Sequence, residues 1–271
     1  MKIKNVVKVM NFHSLLKVDK AKKTAEKYFS YEEGLTEFAK NILNNRNLML
    51  DKKILTLDPK KKPLNIYIAN DMGFCGNFNS NVNKRIQEED ADKIIIGKKI
   101  LSKKEKALLA ITKEEYNERK NEIEEILYDS IINKKNSEIN LIYNHYYNVS
   151  KIDLVEKRIL PVENKKERNN QYNEDFTIEG NINEILTNVM VLYLSYEIKV
   201  AIENSYASEN VARQKLTTES LKKLDEIEEE EIRAKRKTNN EKAFKKVLEN
   251  FTKLKSKEGE WWKKVLKMKK M

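Results

Sequence analysis

The segment Asp71-Met72-Gly73-Phe74-Cys75-Gly76-Asn77-Phe78-Asn79 comes closest to a chemical motif. It follows a run that reads as a strand and precedes one that reads as a helix. Nucleotide folds cradle phosphates on backbone N–H groups at such a place. It contains neither Gly-x-Gly-x-x-Gly nor Gly-Lys-Ser/Thr, so the nucleotide signal is weak. The plainer reading is a tight turn permitted by its glycines, with Cys75 and Phe78 packing inward. His13 and His145 are the only histidines. Neither they nor Cys75 have zinc-ligand spacing. Most carboxylates sit beside lysines on helix faces, as solvated i,i+4 pairs do. The residues therefore nominate no catalytic group, no metal ligand and no cofactor-binding residue.

The second candidate is electrostatic. Net charge is +11. Ile232 to Met271 holds 15 Lys/Arg against 4 Asp/Glu, which equals the whole excess. Lysines at about one phosphate each would give salt-dependent nucleic-acid binding, but no base-reading motif accompanies them. A basic helix face docking an acidic protein or an anionic lipid is equally physical. Trp261-Trp262, among lysines, would anchor in a partner pocket or at a membrane surface, or pack back on the chain.

Long helices must position these residues. Charged residues are 36% of the chain, against roughly 25% in ordinary globular proteins, and there are only 6 Gly and 3 Pro. From Met1 to about Asp58 apolar residues recur every three or four positions, which is helical; such a rod would be about 80 Å long. Pro59 to Pro63 is a basic turn, and Leu64–Ala69 a short buried strand. Ser80–Glu89 reads as a helix capped by Asn79 or Ser80. Lys93–Gly97 is a second strand. Leu101–Ala110 and Lys113–Asn133 read as amphipathic helices, Glu138–Tyr143 and Ile152–Leu160 as two more strands, and 163–179 as a loop. Strands alternating with helices imply a small α/β layer with a partly parallel sheet. After Gly180 apolar steps near three and four resume to about Leu266, a helix of about 130 Å with coiled-coil seam spacing. Asn204, Gln214 and Thr218 make that seam irregular. Neither terminal helix buries its stripe alone, so they are expected to pair antiparallel. Expected domains are residues 1–58 (first shaft helix), 59–180 (α/β foot) and 181–271 (second shaft helix, with a basic extension from about Thr252). The single Cys fits a reducing compartment. No run of about 20 apolar residues suggests a membrane span, and the N-terminus lacks a signal-peptide core.

Three segments together resemble the gamma subunit of F-type ATPases. Ile66 to Lys84, IYIANDMGFCGNFNSNVNK, is similar to the family's strand, its Ser-Asp-x-Gly-Leu-Cys-Gly-Gly-Phe-Asn loop and the following helix. Leu141-Ile142-Tyr143-Asn144, with Asn148, resembles its second hallmark strand. Tyr206 to Arg213, YASENVAR, resembles its Ala-Ser-Glu-x-x-Ala-Arg signature. Ile3 to Lys17 is laid on the family's first helix through Lys8 and Met10. The resemblance spans about residues 1–240; the family's closing Ala-Arg-Gln-Ala-x-Ile-Thr pattern is not readable in Ile232–Asn240.

The resemblance implies an α/β fold with a long antiparallel coiled coil standing on a Rossmann-like foot. It implies a non-catalytic central rotor shaft turned by a hexamer of alpha/beta-type nucleotide-binding subunits. ATP, ADP and Mg would be bound by those subunits and none by this chain. Further implied partners are an epsilon-type small rotor subunit and a membrane ring or motility-machine component, with no nucleic acid. The implied location is the cytoplasm, peripheral to the membrane's inner face. Ring contacts would be Lys8, Met10, Arg213, Arg233, Lys235 and Arg236. Motif residues are Gly73, Cys75, Gly76, Phe78, Asn79, Tyr143, Asn144, Ala207, Ser208 and Glu209. The lost closing motif and the tail with Trp261 and Trp262 raise an alternative: the rotor of a specialised F-type-like ATPase of mollicutes, driving motility or surface transport. A basic coiled-coil nucleic-acid binder is the remote alternative.

Overall fold

A computed structural model describes residues 2–44, 56–100, 107–161 and 179–268. In chain order the elements are α1 (Lys2–Asn44), β1 (Leu64–Ile68), α2 (Ser80–Glu88), β2 (Asp92–Ile96), β3 (Leu109–Ile111), α3 (Lys120–Ile132), β4 (Ile139–Tyr146), β5 (Ile152–Leu160) and α4 (Ile182–Met268). The chain divides into two compact units, residues 5–218 and residues 1–4 with 219–271.

The larger unit holds one five-stranded sheet in the order β3-β2-β1-β4-β5. β1 pairs in parallel with β2 and β4, β2 in parallel with β3, and β5 runs antiparallel to β4. The chain leaves β1 for β2 on one side and later returns to place β4 on its other side. The strand order therefore switches between β1 and β4, where open α/β sheets carry their ligand crevice.

Burial follows the strand's period of two. Leu64, Ile66, Ile68, Ile94, Ile96, Ile139 and Leu141 join one core with residues of α3 and the first turns of α4. Tyr67, Ala69, Ile95 and Ile142 join another with Val82 and Ile86 of α2. All five residues of β1 are buried, as befits a central strand covered on both faces.

Several sequence expectations need correction. Leu109–Ile111 is a strand, not the end of a helix; it pairs with Ile94–Ile96, so the sheet has five strands where four were expected. Three residues are too few to show a period, and β2 supplies the pairing that decides them. Residues 101–106 lie outside the described ones. The helix expected from Lys113 begins only at Lys120. Before it, Thr112 and Glu115 exchange hydrogen bonds (Glu115 N to Thr112 Oγ1, 3.1 Å; Thr112 N to Glu115 Oε2, 2.8 Å). This is a capping-box exchange, but it opens only a single 3-10 turn, Glu115–Asn117. Residues 56–58 are not helical; 45–55 and most of the expected 163–179 loop lie outside the described residues. One 18-residue window of α4 does reach membrane-span hydropathy, but 67% of it is buried within the protein, where it covers the sheet.

α1 and α4 run antiparallel. In the larger unit Asn11 Nδ2 donates to Thr218 Oγ1 (2.8 Å) and Thr217 Oγ1 (3.0 Å). Val18 shares an apolar cluster with Ala207, Val211 and Tyr146. In the smaller unit Lys4 pairs with Asp225 (2.6 Å) and Glu228. Within the larger unit Asn11 and Val18 climb α1 by seven while Thr218 and Val211 descend α4 by seven, the heptad spacing of a two-helix seam. The seam is irregular at the expected places. Gln214 offers its carbonyl to Asn11 (3.4 Å), and buried Asn204 turns its amide back to the Val200 carbonyl (3.1 Å).

Candidate functional site

The loop after β1 is built by its own side chains. Asp71 accepts the backbone N–H of Lys98 on Oδ1 (2.6 Å) and that of Lys113 on Oδ2 (3.2 Å). One carboxylate thus ties together the carboxyl ends of β1, β2 and β3. Asn70 donates to the Met72 carbonyl (2.7 Å) and accepts from the Asn79 amide. Asn79 sits at the start of α2 but makes no side-chain cap bond; its side chain holds the loop instead. The turn passes through the left-handed region at Phe74 (φ 62°) and Gly76 (φ 57°). Glycine adopts this freely and phenylalanine does so at a cost. Phe74 is 67% exposed at the tip, while Cys75 beside it is buried.

α4 fills the crevice above that loop. Glu209 and Arg213 lie one turn apart, with side chains 2% and 8% exposed, and Arg213 Nη2 is 2.5 Å from Glu209 Oε1. The Met72 N–H points to Glu209 Oε1 (3.4 Å) and the Lys113 ammonium lies 3.3 Å from Glu209 Oε2. Arg213 also donates to the Gly73 carbonyl (3.1 Å), Asn210 Oδ1 (3.0 Å) and Cys75 Sγ (3.4 Å). Ser208 Oγ donates to the Asn144 carbonyl at the end of β4 (3.0 Å), and the Asn144 amide reaches the Phe78 carbonyl (3.4 Å). A carboxylate held by a loop N–H, an ammonium and a guanidinium occupies the position where a nucleotide fold would hold an anion. Here the anion is the chain's own Glu209. Burial pushes the Cys75 thiol up, and the Arg213 charge pulls it partly back down.

The structure brings together most of the motif residues. Gly73 and Cys75 meet Glu209 and Arg213; Phe78 and Ser208 meet Asn144. Ala207 joins the Val18 cluster. Tyr143 lies in the sheet core, and its hydroxyl is 3.3 Å from His145 Nδ1. Gly76 is exposed and has nothing near its missing Cβ; it serves the turn. Arg213, expected at the ring surface, is buried with internal partners. Lys8, Lys235 and Arg236 are exposed, Met10 is half-buried, and exposed Arg233 pairs with Glu229 (3.5 Å). Trp261 and Trp262 lie in α4, but their side chains are outside the described ones. Sequence reasoning missed Asp71 and Lys113 as anchors. Asp71 could have been found, since it lies just beyond the central strand at the head of the motif loop. Lys113 follows the unrecognised β3 and gave no signal. Among the described residues no group of three or more His, Cys, Asp or Glu is placed to hold a metal ion.

The fold and site define a class: an α/β sheet whose switch-point crevice is closed by a buried charged pair from a long helix, itself paired antiparallel with the N-terminal helix. A family model described as ATP synthase matches residues 1–241. The ATP synthase gamma chain of Clostridium novyi is 30% identical over 224 residues, 78% of each chain. That of Mycoplasma mycoides is 27% identical over 78% of this chain and 79% of its own. That of Clostridium perfringens is 26% identical over 83% and 84%. This chain belongs to the ATP synthase gamma chain family. Its fold matches a chain in the Tetrahymena thermophila mitochondrial ATP synthase central stalk/c-ring structure (TM-score 0.53, 18% identity, 79% of this chain and 99% of that one). It also matches one in the Euglena gracilis mitochondrial OSCP/F1/c-ring structure (TM-score 0.52, 15% identity, 91% and 94%).

Proposed function

We propose that the chain is the central rotor shaft of an F-type rotary ATPase, coupling nucleotide turnover in a surrounding hexamer to rotation. Alongside family membership, one observation carries the reading. The helix that pairs with α1 is fastened to the sheet by Glu209 and Arg213, in the crevice a nucleotide enzyme would keep open. The chain is non-catalytic on this reading, and ATP, ADP and Mg belong to the alpha/beta-type partners. Those subunits close on ATP and open after hydrolysis, pressing on exposed groups of the paired helices such as Lys8, Arg233, Lys235 and Arg236. Torque then passes through the Glu209–Arg213–Lys113 cluster into the sheet domain, which grips a small epsilon-type subunit and a membrane ring at the cytoplasmic face. A motor for movement or surface transport would use the same parts, and no observation here favours it.

The test is co-expression with alpha- and beta-type subunits from the same source, with a bead attached through Asp153→Cys on β5. ATP should drive stepwise rotation in one direction. A hexamer that binds no copy of this chain, or a bead that stays still during full-rate hydrolysis, overturns the proposal.

A further inference from the structure

α1 presents its faces in an unusual way between residues 4 and 18. Val6, Val9, Phe12 and Leu16 are 58%, 56%, 58% and 52% exposed. Their steps of three, three and four place them along one side of the helix. The side turned toward α4 carries half-buried Val7, Asn11 and buried Ser14, with Val18 the first buried apolar residue. Ordinary amphipathic pairing buries the apolar row and leaves the polar one wet. Rolling α1 by about half a turn would bring Val6, Val9, Phe12 and Leu16 onto α4 at the expense of Val7 and Val18; four larger apolar contacts against two still favour that packing. Something must select the observed rotation against it.

We infer that Asn11 is the orienting device that fixes the rotation and register of α1 on α4 in the larger unit and keeps the Val6–Leu16 row turned outward. Asn11 has matched partners on α4 in Thr217 and Thr218, with the Gln214 carbonyl behind. Rolling α1 strips the Asn11 amide of these partners and turns it away from α4; the Thr217 hydroxyl keeps its bonds to the Arg213 (2.8 Å) and Gln214 (3.0 Å) carbonyls but loses the one donor it accepts from. A single polar side chain in a helix seam is a known way to set register at the expense of stability.

The experiment uses the full chain with single added cysteines at Val9 or Leu16; native Cys75 is buried and reacts slowly. In the parent both added thiols should label at nearly the rate of an unfolded peptide. In Asn11→Leu, labelling at Val9→Cys and Leu16→Cys should slow at least tenfold while the thermal midpoint rises. Asn11→Ser, which keeps a short hydrogen-bonding group, should label as the parent does. Unchanged labelling in Asn11→Leu overturns the inference. Faster labelling also overturns it, because α1 would then have come off α4 rather than rolled.

Discussion

The Arg213 guanidinium lies 2.5 Å from the Glu209 carboxylate on the preceding turn of α4, and both are buried beside the Lys113 ammonium. Removing one member leaves the others charged and desolvated, which typically costs about 3–5 kcal/mol. Arg213→Met and Glu209→Ala should each lower the thermal midpoint by well over 5 °C in melts followed by circular dichroism. Lys113→Met should cost less in a Glu209→Ala background than in the parent, since its carboxylate partner is already gone. Additive costs would mean that the three charges are not one unit.

Gly97 follows β2 at φ 137°. A Cβ there would lie 2.7 Å from the Ala69 carbonyl oxygen and 2.9 Å from its carbonyl carbon. Backbone cannot withdraw as a flexible side chain does, so strain adds to the unfavourable φ. Gly97→Ala should destabilise by about 2–4 kcal/mol. Gly73→Ala, with nothing within 4 Å, should cost little. Equal denaturation midpoints for the two variants would contradict the account.

The Cys75 thiol is held above its ordinary value, chiefly by burial. A raised thiol favours the folded state fully below the unfolded value, and that advantage is lost as pH rises toward the folded one. Stability should therefore fall with alkaline pH more steeply in the parent than in Cys75→Ala. Native-state alkylation at neutral pH should be at least tenfold slower than in denaturant. Arg213→Met removes the positive charge that lowers the thiol, so alkylation by the folded variant should shift to still higher pH.

Lys4 holds the Glu228 carboxyl below its ordinary range through a hydrogen bond and its charge. A lowered carboxyl contributes stability above its unfolded value, and the contribution disappears as pH falls through the folded value. A spin-label pair at Ile3→Cys and Glu229→Cys, both in the smaller unit, should hold one distance at pH 7 and broaden below about pH 4. The broadening should already be present at pH 7 in Lys4→Met.

Much of this architecture is legible in the sequence alone. The α1 and α4 periodicities, the starts of β1 and α2 and the bounds of β5 follow from local patterns that persist over enough residues to be read. The motif residues of the loop and of α4 could be named but not explained, because Gly73 and Arg213 lie 140 positions apart and no spacing rule connects them. β3 was misread because three residues carry no period. Arg213 was expected at the ring surface through the resemblance alone; its burial depends on Glu209 and on the Gly73 carbonyl, which only folding brings to it.

By itself the sequence determined the type of every long element, the pairing of the two terminal helices and the family, since each rests on local periodicity or on residue order along the chain; the three-residue β3 was beyond it. Only the tertiary structure decided that Glu209 plugs the sheet's own crevice and that α1 turns its apolar row away from α4. Both are choices among faces and distant partners. Such choices depend on which buried charges and hydrogen-bonding groups can be satisfied at once, a condition set in three dimensions.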